Sequence, residues 1–447
     1  MIVNEVTNIN LLGLSLTLLM GILMILVPRR YAPIPLLIVT CYITIGQRVV
    51  VAGLDFTMFR ILILFGWARL VLRSEIYALK LNAIDKALIW WIITSIVTYT
   101  ILWGTFRAFI NRMGLAYDVI GIYFLLRFII RDFEDVIRII KSLGFIIVPL
   151  ALAALLENAT TRNIFAIFGG VPEFSRLRDG NVRCVISFGD AILAGTFAAT
   201  SMPLFVGLLS EKGFAKKLAI FGFVASTIIT VLSNSSGPVV SYLFGIIGFA
   251  LWPFRRKMRL VRWGILAGVL SLHIIMKAPV WALIGRLSDL IGGTGYHRFE
   301  LIDAFIRHFG EWWLIGTKYT AHWGPVVLVY EPNMVDITSQ YILMGIEGGL
   351  LRMFLFIAVI VHSFRAIGRT IRATEGQSLS ARICLWSLGA ALLGHSISFI
   401  SVSYFTQIVV FWYMLLAMIS TCEGIFNNGN GLFKKTNFST QPLYKNV

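Results

Sequence analysis

Apolar runs long enough to cross a bilayer recur along almost the whole chain, and no other feature constrains its fold as strongly. They fall near 9–27, 33–47, 54–72, 87–104, 114–131, 137–156, 189–209, 218–233, 239–254, 263–276, 341–363, 383–403 and 405–421; the second, eighth and tenth are short. Backbone in hydrocarbon must satisfy its own N–H and C=O groups, so such runs are read as helices. The expected fold class is all-α: a polytopic transmembrane helix bundle of about 12–13 spans with one large extracytoplasmic loop containing an amphipathic helix. Composition agrees, with 58% apolar and 14% charged residues against roughly 25% charged in a soluble domain. Disorder, a disulfide scaffold and a β-barrel are excluded on that ground. Cys41, Cys184, Cys384 and Cys422 form no CxxC and no pairing pattern. The first run lacks a basic stretch before it and ends in Pro28-Arg29-Arg30, so it reads as a retained span and not a signal peptide.

A net charge of +17 in a soluble protein would suggest nucleic acid. Here the basic residues cluster between spans, so no nucleic-acid partner is expected. One set of loops carries 24 Lys and Arg; the opposite set carries seven outside the long segment 277–340. The richer set is expected to be cytoplasmic. That places 277–340 outside, the C-terminus inside and, with thirteen spans, the N-terminus outside. The organisation is then 1–276 as N-terminal transmembrane helices, 277–340 as the large periplasmic loop, 341–423 as C-terminal transmembrane helices and 424–447 as a disordered cytoplasmic tail.

Within the long loop, Ile302, Phe305, Ile306, Phe309 and Trp313 recur at helical spacing and predict an amphipathic helix over about 298–313. Asp303, Arg307 and Glu311 at i, i+4, i+8 read as an ion-pair ladder. Arg298 has no carboxylate partner on that helix and is free for an anion; Arg286 has Asp289 within reach. A second outer loop contains Arg176-Leu177-Arg178-Asp179-Gly180-Asn181-Val182-Arg183. Gly180 permits a tight turn there. Guanidinium suits phosphate because its planar fork meets two oxygens and stays charged. The competing reading of these arginines is a solvated loop touching lipid headgroups. His297, His308 and His322 show no HExxH or other ligand spacing, so no metal site is indicated. No P-loop, GxGxxG or GxSxG occurs. Arg60, Asp118, Arg127, Glu347 and Arg352 fall within apolar runs and need partners or a functional use.

The run Arg178-Asp179-Gly180-Asn181-Val182-Arg183, followed by Ser187-Phe188 and Ile192-Leu193-Ala194-Gly195-Thr196-Phe197, resembles a stretch of O-antigen ligase-like membrane proteins. His297-Arg298-Phe299-Glu300-Leu301-Ile302-Asp303-Ala304 and Gly310-Glu311-Trp312-Trp313-Leu314-Ile315-Gly316-Thr317 resemble their loop helix and its end. Asp336-Ile337-Thr338-Ser339-Gln340-Tyr341-Ile342-Leu343, with Gly345, Glu347 and Gly348-Gly349-Leu350-Leu351, resembles their entry to the next span. The likeness covers roughly 110–420 and is strongest over 176–210 and 296–365.

The resemblance implies a glycosyltransferase that moves a glycan from a polyprenyl-pyrophosphate carrier to an acceptor hydroxyl, in lipopolysaccharide or exopolysaccharide synthesis. It implies that Arg183 and Arg298, with Arg178 beside them, meet the donor pyrophosphate, and that the chemistry uses neither metal nor cofactor. The implied partners are the lipid-linked donor, a lipid or sugar acceptor and membrane lipids. The implied location is the bacterial inner membrane, with the active face periplasmic. Many members of that family have His-Asn ahead of a Tyr-Leu pair, whereas Thr338-Ser339 precede Gln340 and Tyr341 here. The general base is therefore His322 or Asp336, or this branch works differently. Rival readings are a polysaccharide polymerase of the same chemistry, a non-catalytic assembly component, and a transporter, which should show inverted repeats.

Overall fold

The computed structural model describes residues 9–51, 54–284, 295–324, 329–331 and 334–427. The chain is an all-α, multi-pass membrane bundle. Among the described residues nine helices are long and apolar enough to cross a membrane, and Leu11–Leu26 and Ser236–Ala250 are shorter apolar helices. Arg286 and residues 428–447 of the expected tail lie outside the described residues.

In chain order the helices are α1 (Leu11–Leu26), α2 (Pro33–Tyr42), α3 (Met58–Leu72), α4 (Ala83–Trp103), α5 (Phe106–Ile129), α6 (Phe133–Thr160), α7 (Ala191–Leu208), α8 (Phe214–Leu232), α9 (Ser236–Ala250) and α10 (Met258–Ile275). The long loop contributes α11 (Gly295–Arg307) and the single turn α12 (Phe309–Trp312). Then follow α13 (Gln340–Ile346), α14 (Gly349–Ala373), α15 (Leu379–Ser401) and α16 (Ile408–Asn427). Strands occur only as two-stranded hairpins among these residues: β1 (Arg48–Val51) with β2 (Leu54–Thr57), β3 (Leu177–Arg178) with β4 (Asn181–Val182), and β5 (Val329–Glu331) with β6 (Met334–Val335).

Two apolar runs behave differently from their sequence signal. The run 33–47 gives only the ten-residue α2, about 15 Å long at 1.5 Å per residue and too short to span. Pro33 and Pro35 sit in its first turn, where a missing N–H costs nothing. The run 341–363 is broken at Glu347–Gly348 into α13 and α14. Loop backbone fills the break: Leu350 N donates to Trp313 O (2.8 Å) and Thr317 N to Ile346 O (2.9 Å). Gly316 and Gly349 make this possible, because at each a Cβ would lie about 2 Å from a carbonyl oxygen of the other segment (2.0 Å and 2.2 Å).

Helix α7 is the hub, nearly all buried and packed on α8, α9 and α15. Its Ala191, Ala194, Gly195, Ala198, Ala199 and Ser201 let neighbouring backbones approach closely, as small residues do in bilayers. By contrast α10 buries no residue.

Arg60, Asp118, Arg127, Glu347 and Arg352, the charges singled out within apolar runs, are all paired. Arg60 binds Asp118 through two contacts of 2.6 Å, and Arg127 meets Asp85 (3.4 Å) and Thr421 (3.2 Å). Glu347 holds both Arg112 (2.8 Å) and Arg352 (2.7 Å). These residues anchor the bundle. Loops that the charge count assigns to one side also meet one another. Arg29 reaches Asp132 and Asp135, Arg369 reaches Glu423, and Arg256 reaches Glu375 at the basic rim. Asn10, Thr44, Gln47 and Gln407 bond the 167–187 region at the other rim.

Removing Glu347 leaves two buried guanidiniums without their anion, an arrangement that costs about 3–5 kcal/mol. In detergent, Glu347→Ala is expected to lose monodispersity at a clearly lower temperature than wild type, whereas Lys216→Ala, at an exposed position, is not. Coincident thermal profiles for wild type and Glu347→Ala contradict this role.

Candidate anion-binding site

The arginine-rich run forms the β3–β4 hairpin. Its two-residue turn has Asp179 at φ 50° and Gly180 at φ 79°. Positive φ at both positions is the turn whose twist suits a hairpin, and Asp-Gly is a favoured pair for it. The register sets Leu177 opposite Val182 and Arg178 opposite Asn181. The Arg183 N donates to Arg176 O at 3.0 Å, which extends the pairing by one residue. Side chains alternate along each strand and directly paired residues share a face. Arg176, Arg178 and Arg183 therefore stand on one face of the ribbon, with Leu177 and Val182 on the other.

Three ties fix the ribbon to the bundle. Glu157 on α6 accepts from Ser175 Oγ (2.5 Å), Val185 N (2.7 Å) and Ile186 N (2.9 Å). Ile186 is held at φ 48°, a strained conformation for a β-branched residue, while buried completely. Cys184 N donates to Leu232 O (3.0 Å), and Asn234 Nδ2 to Val182 O (2.6 Å). These last two bonds tether the ribbon to the end of α8 and to the turn between α8 and α9.

Arg298 reaches the same turn from the long loop. It is 7% exposed and sits on the buried side of α11 with Leu301, Ala304 and Phe305. Its one hydrogen bond among the described residues runs from Nη1 to Ser236 Oγ, at 3.2 Å. Ser236 opens α9, and the preceding Ser235 makes no side-chain cap there. A helix N-terminus carries partial positive charge, so Arg298 is placed against a charge of its own sign. Burial, and next the charge of Arg178, push its guanidinium down to about 10. Arg183 is also lowered: burial dominates, Asp190 at 3.9 Å opposes it, and Arg178 and Arg176 add to it. Arg178, Arg183 and Arg298 thus share one electrostatic neighbourhood. Among the described residues its carboxylates are Asp190 and Asp179, 49% and 82% exposed. The arrangement is suited to a polyanion approaching α9, as at other helix N-termini.

The two base candidates are separated. His297, next to Arg298, has its Nε2 3.2 Å from the Asp336 carbonyl oxygen. Asp336 is therefore beside the arginine end of α11, and its carboxylate makes no ion pair or hydrogen bond among the described residues. Thr338, where the resemblance implies histidine, keeps a buried hydroxyl without a hydrogen-bond partner. His322 instead pairs with Glu311 (3.0 Å) beyond the other end of α11. His308, which adjoins that pair, is ten residues from Arg298, about 15 Å along a helix.

The long-loop helix differs from its sequence outline. It ends at Arg307, and α12 is a separate turn. Its packed face is Leu301, Ala304 and Phe305, whereas Ile306, Phe309 and Trp313 are 47%, 45% and 46% exposed. The helix carries apolar residues on two sides, which a periodicity count merges into one. Arg307 pairs with Asp303 as expected. The break at His308 takes Glu311 off that ladder and gives it to His308 (2.7 Å), His322 and the Trp323 indole (3.0 Å). Burial acts against the ionised Glu311, but hydrogen bonds from Trp323, His322 and His308 and the charge of His322 outweigh it and hold the carboxyl at about 2.

A cavity of about 190 Å³ lies deeper, lined by Trp91, Phe356, Trp412 and Tyr413, with Arg112, Glu347 and Arg352 on its polar side. Sequence reading singled out Glu347 and Arg352 but neither Arg112 nor the convergence of the three, because they come from α5, the α13–α14 break and α14.

Cutting the Asn234 tether should free the ribbon. Asn234→Ala is expected to speed deuterium uptake over 176–183, consistent with loss of about 1 kcal/mol of hydrogen bonding, while α7 and α8 stay protected. Unchanged exchange across 176–183 contradicts the tether.

No protein-family model matches the chain, and no curated protein matches it.

Proposed function

We propose that this protein is a glycosyltransferase that moves a glycan from a polyprenyl-pyrophosphate carrier to an acceptor hydroxyl, as the resemblance to O-antigen ligase-like proteins implies. The observation that carries the reading is the buried Arg298, unpaired with any carboxylate among the described residues, set at the start of α9 and coupled to Arg178. A lipid pyrophosphate supplies what this place lacks, two negative charges per headgroup and a tail that stays in the bilayer. Arg178, Arg183 and Arg298 hold the pyrophosphate and stabilise the charge that grows on it as the glycosidic bond breaks. The leaving group is already activated, so no nucleotide is consumed.

Asp336 is the base in this reading. It is beside the arginine end of α11, whereas His322 is occupied by Glu311 at the far end. Asp336 accepts the acceptor's hydroxyl proton as the new bond to the anomeric carbon forms. The protein acts in the bacterial inner membrane, with the arginine rim facing the periplasm, as the bias of 24 basic residues against seven indicates.

Complementation of a deletion strain tests this, with membrane levels of each variant measured. Arg298→Ala and Asp336→Asn are expected to abolish surface polysaccharide. Removing a contact to a desolvated anion costs about 2–5 kcal/mol, or roughly 30-fold to several thousand-fold. Arg298→Lys rescues only partly, because a point charge lacks the fork. Arg307→Ala, which loses one exposed helix pair, keeps activity. Long chains accumulating on the carrier identify a ligase, and single repeat units a polymerase. Normal polysaccharide in Arg298→Ala at normal expression overturns the proposal.

A further inference from the structure

The turn that ends the long-loop helix gathers three metal-ligating side chains that no part of the proposed transfer reaction uses. His308 follows α11, Glu311 lies in α12, and His322 comes from the 3-10 turn Ala321–Trp323. Their ligand atoms lie within 4.8 Å of one another. His308 Nδ1 is 2.7 Å from Glu311 Oε1, and His322 Nε2 is 3.1 Å and 3.0 Å from the two Glu311 oxygens. Both imidazoles thus aim a ring nitrogen at one carboxylate.

The surroundings hold this geometry. The Trp323 indole N–H donates to Glu311 Oε2 at 3.0 Å, orienting the carboxylate as second-shell donors do in metal sites. The His308 ring stacks on Trp323, with centroids 5.4 Å apart and planes 11° from parallel. Trp323 packs edge-on to Phe305, which stacks on Trp312. Two of the three ligands are therefore braced by the small apolar core of Leu301, Phe305, Trp312 and Val335.

We propose that His308, Glu311 and His322 form a zinc site that clips α12 to the Ala321–Trp323 turn on the outside of the bundle. Two imidazoles and one carboxylate suit zinc far better than magnesium or calcium, which seek all-oxygen shells. With zinc bonds of about 2.0–2.2 Å, tetrahedral ligand atoms stand about 3.4 Å apart, so the imidazole–carboxylate contacts of 2.7, 3.0 and 3.1 Å open slightly to admit the ion. At 30%, 38% and 51% side-chain exposure, the ligands leave the ion's fourth position to water. The site is structural with respect to transfer, because its ion sits at the far end of α11 from Arg298. Sequence spacing does not reveal it: His308 and Glu311 are three apart, but His322 arrives from a different turn.

The test uses purified full-length protein in detergent, stripped with EDTA and dialysed, then titrated with zinc chloride and measured by equilibrium dialysis with elemental analysis. Wild type is expected to take up about one zinc per chain with a competable affinity. Trp323→Phe, which keeps the ring but removes the donor, is expected to weaken binding about 10–100-fold. Glu311→Gln and the His308→Ala/His322→Ala double variant weaken it further. His297→Ala, outside the cluster, leaves it unchanged. Each variant's size-exclusion profile shows whether it is folded, and cobalt in place of zinc gives the visible absorption of a tetrahedral ion in wild type and His297→Ala but not in the Glu311→Gln or double variants. No stoichiometric zinc on wild type, or zinc retained by both the Glu311→Gln and double variants, overturns the site. Zinc binding together with transfer that survives EDTA separates this site from the proposed reaction.

Discussion

A charge surrounded by apolar groups is tolerated when an opposite charge meets it, and the bundle follows that rule until its non-basic rim. Arg60 has Asp118, Arg127 has Asp85, and Arg112 and Arg352 share Glu347. At the rim, Arg298 is also buried but among the described residues finds only a serine hydroxyl. Arg178 and the start of α9 add positive potential to it. The fold supports this at some cost, through the strained Ile186, the Glu157 brace and the Asn234 tether. We read such a place as one that takes an anion, and the contrast between the paired arginines and Arg298, unpaired with any carboxylate among the described residues, is the basis of the functional reading.

The proposed anion site is assembled from two distant segments. The ribbon presents Arg176, Arg178 and Arg183 on one face, and α11 brings Arg298 from a segment more than a hundred residues later. Backbone pairing between 313–317 and the α13–α14 break holds the long loop on the bundle, so α11 keeps its place over α9. Asp336 and Thr338 then enter beside the arginines from the strand that leads into α13.

Much of this was legible in the sequence, and the parts that were not have physical reasons. Long apolar runs and the side preferences of Lys and Arg gave the bundle and its two rims, because both follow from the bilayer alone. Asp179-Gly180 marked the turn, and Arg298 stood out as unpaired on its own helix. Periodicity did not show that α11 packs through Leu301 and Ala304, since Ile306 and Phe309 give an equally good apolar stripe. Hydropathy read 33–47 as a short span, although the helix there ends at Tyr42 after ten residues, ahead of the β1–β2 hairpin. The ladder from Asp303 to Glu311 failed because the helix breaks at His308. The histidine–glutamate cluster and the meeting of the ribbon and Arg298 at the α8–α9 junction depend on contacts between distant segments, which spacing does not encode.

The central claim is that this rim binds a lipid pyrophosphate through its charge. Native mass spectrometry of the purified protein with polyprenyl pyrophosphate and with the uncharged polyprenol tests it most directly. The account predicts that wild type retains the pyrophosphate lipid in preference to the alcohol, and that Arg298→Ala loses this preference while still binding the alcohol as wild type does. Equal retention of the two lipids by wild type, or an undiminished preference in Arg298→Ala, would contradict it.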